Sequence, residues 1–186
     1  MKMRLIIGLF LLVCIAQVVT PLSMIIKREA VLKNGEQFKF KTAPVDPYDA
    51  FRGRYVALRI AEDNIPDSQD VRLSSGQIVY AHIATDEQGF AKLVAVTLSK
   101  PRGVPYIQAK VRYVSEDKVL LDLPIDRYYM EEKSAPAAER AYRKYSRRDK
   151  QDAYVLVRIK DGFAVIESLY VAGQKIEELV KKEGRK

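Results

Sequence analysis

An apolar run at the N-terminus constrains this chain more than any other feature. From Leu5 to Val19 every residue is apolar or small except Gln17, and after Thr20 and Pro21 the run resumes through Leu22, Met24, Ile25 and Ile26. As a helix, Leu5–Ile26 is roughly 33 Å long, enough to cross a hydrocarbon core of about 30 Å. Leu5, Leu9, Leu12, Ile15, Val19 and Ile26 are the expected lipid contacts, and Pro21 is expected to kink the helix near its exit. A cleaved signal peptide is disfavoured. Ala16-Gln17-Val18 puts a β-branched residue where the second small residue of a cleavage site belongs, and Lys27-Arg28 closes the run as a stop. Cys14 follows Val13, not the small residue that lipoprotein processing needs.

Lys2 and Arg4 on one side face Lys27, Arg28 and Lys33 on the other. The charge rule for orientation is therefore nearly balanced, and a long following domain translocates largely regardless of such charges. The expectation is a single-pass protein of a bacterial inner membrane, with its N-terminus in the cytoplasm and its domain in the periplasm. Residues 1–28 read as the anchor and 29–186 as one mostly β domain.

The chain has 186 residues, so the part after the anchor is the size of one ordinary domain. Hydrophobic residues at 48% and charged residues at 30% are globular usage, which argues against disorder. Basic residues exceed acidic ones by 32 to 24, without a dense stripe interleaved with aromatics. No nucleic-acid partner is expected. The one cysteine lies in the apolar run, which leaves no thiol in the domain for an oxidising compartment to mispair.

Past the anchor, strands are expected wherever the period is two. Glu36–Lys41 sets Phe38 and Phe40 on one face, and Arg54–Ile60 alternates Val56, Leu58 and Ile60 against Tyr55, Ala57 and Arg59. Gln77–Ala84 and Phe90–Leu98 read as a hairpin. Tyr106–Tyr113 and the stretch holding Val119, Leu121 and Leu123 read as two more strands. Ala153–Lys160 and Phe163–Glu167 flank Asp161-Gly162, the clearest two-residue hairpin signal in the chain. Two segments carry a helical period instead: the run after Pro136, with Ala138, Ala141, Tyr142 and Tyr145 on one face, and the tail Gln174–Lys186. The expected fold is mainly β (α+β), an antiparallel meander or barrel-like sheet behind an N-terminal transmembrane helix, with one or two short helices.

The densest cluster of unusual residues is Pro44-Val45-Asp46-Pro47-Tyr48-Asp49-Ala50-Phe51-Arg52-Gly53-Arg54-Tyr55-Val56-Ala57-Leu58-Arg59. Two prolines and two side-chain-capping aspartates stiffen a turn, and a strand follows at once. On Gly53, Tyr55 and Leu58, in register, and on the Pro-Val-Asp-Pro-Tyr-Asp and Phe-Arg that precede them, the chain resembles the GDYXXLXY family of bacterial membrane-anchored proteins. Arg54 and Arg59 stand where that motif has Asp and Tyr. The apolar helix, Arg28-Glu29-Ala30-Val31-Leu32, and Asp126-Arg127-Tyr128-Tyr129-Met130-Glu131-Glu132 with the helix around Glu139 extend the resemblance over most of the chain. It implies an anchored extracytoplasmic domain and carries no established activity. An acid at position 54 has no counterpart here, because a guanidinium serves neither as base nor as metal ligand.

Candidate chemistry is sparse. His82 is the only histidine and sits in an apolar strand, while Asp46 and Asp49 are explained by turn capping, so neither a metal nor a cofactor is expected. No catalytic residues are assigned. One constellation remains: Asp46, Asp49, Arg52, Gly53, Arg54 and Tyr55 on the first segment, with Asp126, Arg127, Tyr128, Glu131, Glu132 and Glu139 on the second. These residues are either a polar clasp tying loops to the sheet or a ligand or partner site. The functional expectation is a non-enzymatic accessory or interaction module for a membrane protein partner, bound to the bilayer through residues 5–26. The alternative is a small hydrolase or ligand-binding domain using the Asp/Arg/Tyr/Glu cluster.

Overall fold

The structure, a computed structural model, describes residues 2–43, 55–61, 63–66, 73–115, 118–146 and 152–183. It opens with helix α1, Lys2–Asn34. Among the described residues α1 is the one helix long and apolar enough to cross a membrane, and none of its apolar window is buried in the protein. Its two hydroxyl residues are satisfied inside the helix: Thr20 Oγ1 donates to the Ala16 carbonyl at 2.8 Å and Ser23 Oγ to the Thr20 carbonyl at 2.7 Å. That suits a medium without water, where an unpaired hydroxyl is costly.

The helix does not stop at Lys27-Arg28 but continues to Asn34, with Pro21 inside it. The reason is packing. Val31 is buried, and the end of α1 lies against strands β10 (Ala153–Lys160) and β11 (Phe163–Val171). Gly35 ends the helix by donating its N–H to the Val31 carbonyl at 2.8 Å. A Cβ there would stand 2.5 Å from that oxygen and 3.1 Å from the Ile159 nitrogen, so only glycine lets the chain turn so close to β10.

Two five-stranded antiparallel sheets follow. The first has the order β12-β11-β10-β1-β3, with β1 at Glu36–Ala43, β3 at Arg59–Ile60 and β12 at Gln174–Lys175. The second has the order β4-β8-β7-β5-β6, from β4 (Asn64–Pro66), β5 (Ile78–Thr85), β6 (Ala91–Thr97), β7 (Tyr106–Val114) and β8 (Lys118–Asp122). It curls until its two edge strands, β4 and β6, touch. A two-stranded ribbon pairs β2 (Tyr55–Ala57) with β9 (Arg127–Tyr129). The mainly β, antiparallel architecture read from the sequence is thus the one present.

Alternation explains the core. Phe38, Phe40, Val79, Ala81, Ile107, Ala109, Val155 and Val157 all point into one cluster, which also takes Ala138, Ala141 and Tyr142 of helix α2 (Ala135–Tyr145) and Ile176 of helix α3 (Ile176–Glu183). The tail helix begins at Ile176, because Gln174–Lys175 first pairs with β11. Asp161 (φ 52°) and Gly162 (φ 80°) form the turn of the β10–β11 hairpin, as the Asp-Gly signal predicts.

The stretch expected as one strand over Arg54–Ile60 is two among its described residues. β2 pairs with β9, whereas β3 pairs with Thr42–Ala43 of β1, so the chain changes sheets at Leu58. Val56, Leu58 and Ile60 nevertheless all face the core, as their alternation predicts.

Candidate functional site

The two segments singled out in the sequence meet through β2 and β9. Tyr55 lies opposite Tyr129, Val56 opposite Tyr128 and Ala57 opposite Arg127. The Leu58 N–H donates to the Asp126 carbonyl at 2.8 Å and extends the join by one residue. Asp46, Asp49, Arg52, Gly53 and Arg54 lie outside the described residues.

Side chains on the two faces of this ribbon do different things. On one face, the Tyr55 and Tyr129 rings stand 5.7 Å apart and tilted at 58°, and the Arg127 guanidinium lies 5.4 Å from the Tyr55 ring centre. Arg127 is also 3.3 Å from Asp126 Oδ2. The hydrogen bond that Arg127 donates to Tyr129 and the Asp126 charge both favour the protonated guanidinium. On the other face, the half-buried Tyr128 hydroxyl donates to Glu177 Oε1 of α3 and meets the Leu169 backbone. Burial first and the Glu177 bond second push its ionisation well above the usual tyrosine range, so it works as a neutral donor.

Glu139 bonds Arg143 at 2.9 Å one helical turn away on α2. Glu131 and Glu132 are exposed on the turn before α2, where the Glu131 carbonyl accepts from Ser134 and Ala135. His82 Nε2 lies 3.2 Å from Thr97 Oγ1. Among the described residues no three His, Cys, Asp or Glu side chains are grouped to hold a metal ion.

Asp126 stands where three hollows adjoin. The largest, about 630 Å³, is lined by Ile78, Gln108–Lys110 and Arg112 on one side, Asp122–Pro124 and Asp126 on another, and Gly162–Ala164 on the third. A second, about 260 Å³, lies between Asp126–Tyr129 and Ala164–Ile166, with Arg28 at its edge. The third, about 40 Å³, has room for little more than water and is lined in part by Asp63, Arg112 and Asp126.

Sequence reasoning missed Asp63 and Arg112. Asp63 is 4% exposed, with Oδ2 at 3.2 Å from Arg59 Nε and 4.0 Å from Arg112 Nη1, and its buried Oδ1 has no hydrogen-bond partner among the described residues. Arg112 also clamps Asp122. The one signal was an acid beside Asn64 and Ile65 at a strand start, and nothing in it announces a buried charge.

The two larger hollows lie near Lys27 and Arg28 of α1. Lys27 Nζ lies 4.2 Å from the centre of the Phe163 ring, and Phe163 lines the largest hollow. Arg28 lines the second. Two of the three hollows therefore lie beside the basic pair that follows the apolar run of the helix.

No curated protein and no solved structure matches this chain. Residues 17–169 match the family model described as GDYXXLXY protein, over the second half of α1 and the domain as far as Leu169, and the chain belongs to that family.

Proposed function

We propose that the chain is a single-pass membrane protein whose β domain acts as a non-enzymatic accessory module, held against the bilayer to engage an integral membrane protein. The observation that carries this reading is the join of helix and domain. The apolar helix runs into the domain without a linker, Val31 buried and Gly35 turning directly into β1. A domain tied so short works at the membrane surface, because the chain has no slack to carry it away.

The functional boundary falls near Lys27, inside α1, with residues 29–186 as one extracytoplasmic unit. The N-terminus lies in the cytoplasm of a bacterium and the domain in the periplasm, a reading that rests on the tendency of long C-terminal domains to translocate largely regardless of flanking charge. Protease added to intact spheroplasts is expected to degrade the domain; full protection there overturns the orientation. Purification in mild detergent is expected to recover an integral membrane protein with the chain. Repeated recovery of the chain alone, under several growth conditions, overturns the accessory role.

A second reading, a ligand-binding or hydrolytic site, is favoured by one observation: Asp126 borders three hollows and carries Arg127 and the Tyr55–Tyr129 pair beside it. It requires Asp46 and Arg52 to reach the same place. Distances from Asp126 to spin labels at positions 46 and 52 test it, and separations beyond about two side-chain lengths end it.

A further inference from the structure

Strand β11 has two unequal edges. β10 pairs with it from Phe163 to Val171, but on the other side, among the described residues, the pairing with β12 covers only Tyr170 and Val171. The two-residue turn at Asp161-Gly162 is closed by Lys160 and Phe163, a pair that in such hairpins exchanges both its hydrogen bonds. Alternation then points the N–H and C=O groups of Ala164 and Ile166 away from β10. Both residues line the hollow of about 260 Å³ and face Arg127–Tyr129 across it. The open stretch ends at Leu169, whose backbone meets the Tyr128 hydroxyl.

A row of outward donors and acceptors is a template for another strand. This one borders two adjoining hollows, because Pro124, Asp126 and Ala164 line both the smaller one and the larger one of about 630 Å³. Their rim is basic. Among the described residues, Arg112 pairs with Asp122 and Arg127 with Asp126, which leaves Arg28 and Lys110 on the linings and Lys27 beside Phe163 as the excess charge. Its place beside Lys27 and Arg28 restricts what reaches it to chain lying at the bilayer surface.

We infer that the Ala164–Ile166 edge is a strand-addition site, which takes an extended acidic segment adjoining a transmembrane helix of another membrane protein. Backbone hydrogen bonds to Ala164 and Ile166 hold the segment, and Lys27, Arg28 and Lys110 select its charge. The inference rests on the reading of the chain as a membrane-anchored module and adds where, and by which chemistry, the partner is held.

The test places the photo-cross-linker p-benzoylphenylalanine at position 129, in the hollow, and separately at position 94 on the exposed face of β6, in the full-length protein in native membranes. Position 129 is expected to yield an adduct whose cross-linked peptide is acidic and adjoins a transmembrane helix of a second protein. Ile166→Pro, which removes an outward N–H and no ladder bond, lowers that yield by about tenfold or more. A synthetic peptide of the mapped segment is expected to slow hydrogen exchange at the Ala164 and Ile166 amides of the unmodified full-length protein in micelles. This measurement decides alone if Ile166→Pro fails to fold.

Adducts at 129 only to lipid or to a second copy of the chain overturn the inference, as do unprotected amides at 164 and 166. If position 94 captures a membrane partner and 129 does not, the strand site fails and the accessory role stands. If neither captures one, both fail.

Discussion

The Leu58 N–H donates to the Asp126 carbonyl at 2.8 Å and joins two stretches of chain that the sequence marks separately. Together with the β2–β9 ladder, this bond divides the family motif by task. Leu58 and Val56 face the core, while Tyr55 faces outward against Tyr129 and Arg127. The leucine of the motif is thus a packing residue, and the tyrosine belongs to the surface beside the hollows.

Leu58→Ala is expected to cost about 2–5 kcal/mol of unfolding free energy, the usual range for truncating a buried leucine. Tyr55→Phe, which keeps the ring and its contacts, is expected to stay within about 0.5 kcal/mol of the parent. Thermal or denaturant unfolding of the two variants side by side checks the division; equal losses contradict it.

Gly162 and Gly89 share φ +80°, but their surroundings differ. A Cβ at Gly162 would stand 2.6 Å from Tyr106 Cε2, whereas nothing lies within 4 Å of one at Gly89. Gly89→Ala should therefore cost only the left-handed backbone term of about 1–2 kcal/mol. Gly162→Ala should cost more, because it also displaces Tyr106 and disturbs the 2.9 Å bond from the Gln108 N–H to the Gly162 carbonyl. Denaturant midpoints of the two alanine variants give the difference directly.

What the sequence made legible follows from period and turn chemistry. Strands of five residues or more, such as β1, β5, β10 and β11, show alternation that sterics and burial together impose. The Asp161-Gly162 pair marks a turn that few other residues can make. β4 and β9, three residues each, are too short for a period to register. Sheet order was equally out of reach, since β1 pairs with β10 more than a hundred residues away and no local pattern encodes that choice. The extension of α1 to Asn34 is hidden for a related reason: Lys27-Arg28 reads as the end of a membrane span, and only the hairpin packed on Val31 shows why the helix continues. The candidate acids divide in the same way. Asp126 and Arg127 lie beside the join, Glu139 serves its own helix, and the buried Asp63 carries no mark in the sequence.

Glu167 links pH to the helix–domain joint. Its Oε2 accepts from Gln37 Nε2 at 2.9 Å and from Arg158 Nε at 2.7 Å, and Arg158 also donates to the Gly35 carbonyl at 3.1 Å. The Gln37 bond, with Arg158 behind it, holds the Glu167 carboxyl below its ordinary value. A depressed carboxylate contributes stability above its unfolded pKa of about 4.3 and loses it as pH falls through the lower folded value. The parent is therefore expected to melt higher than Glu167→Gln near neutral pH, with the gap closing on acidification below about pH 4. A gap that does not change with pH contradicts the assignment.

Two substitutions separate the anchor from the joint. Leu12→Arg puts a charge near the middle of the apolar stretch, where insertion loses about 2.5–3.5 kcal/mol, so the protein should shift from the carbonate-resistant membrane fraction toward the soluble one. Val31→Asp lies beyond the apolar run and should leave insertion unchanged. It buries an unpaired carboxylate against β10 and β11, a cost met by letting the helix end come away from the hairpin. The expected signature is a membrane-bound protein with faster hydrogen exchange across residues 29–35 and the start of β11. If Val31→Asp exchanges like the parent there, the helix end is not held by this packing, and the domain has the slack that the proposed role denies it.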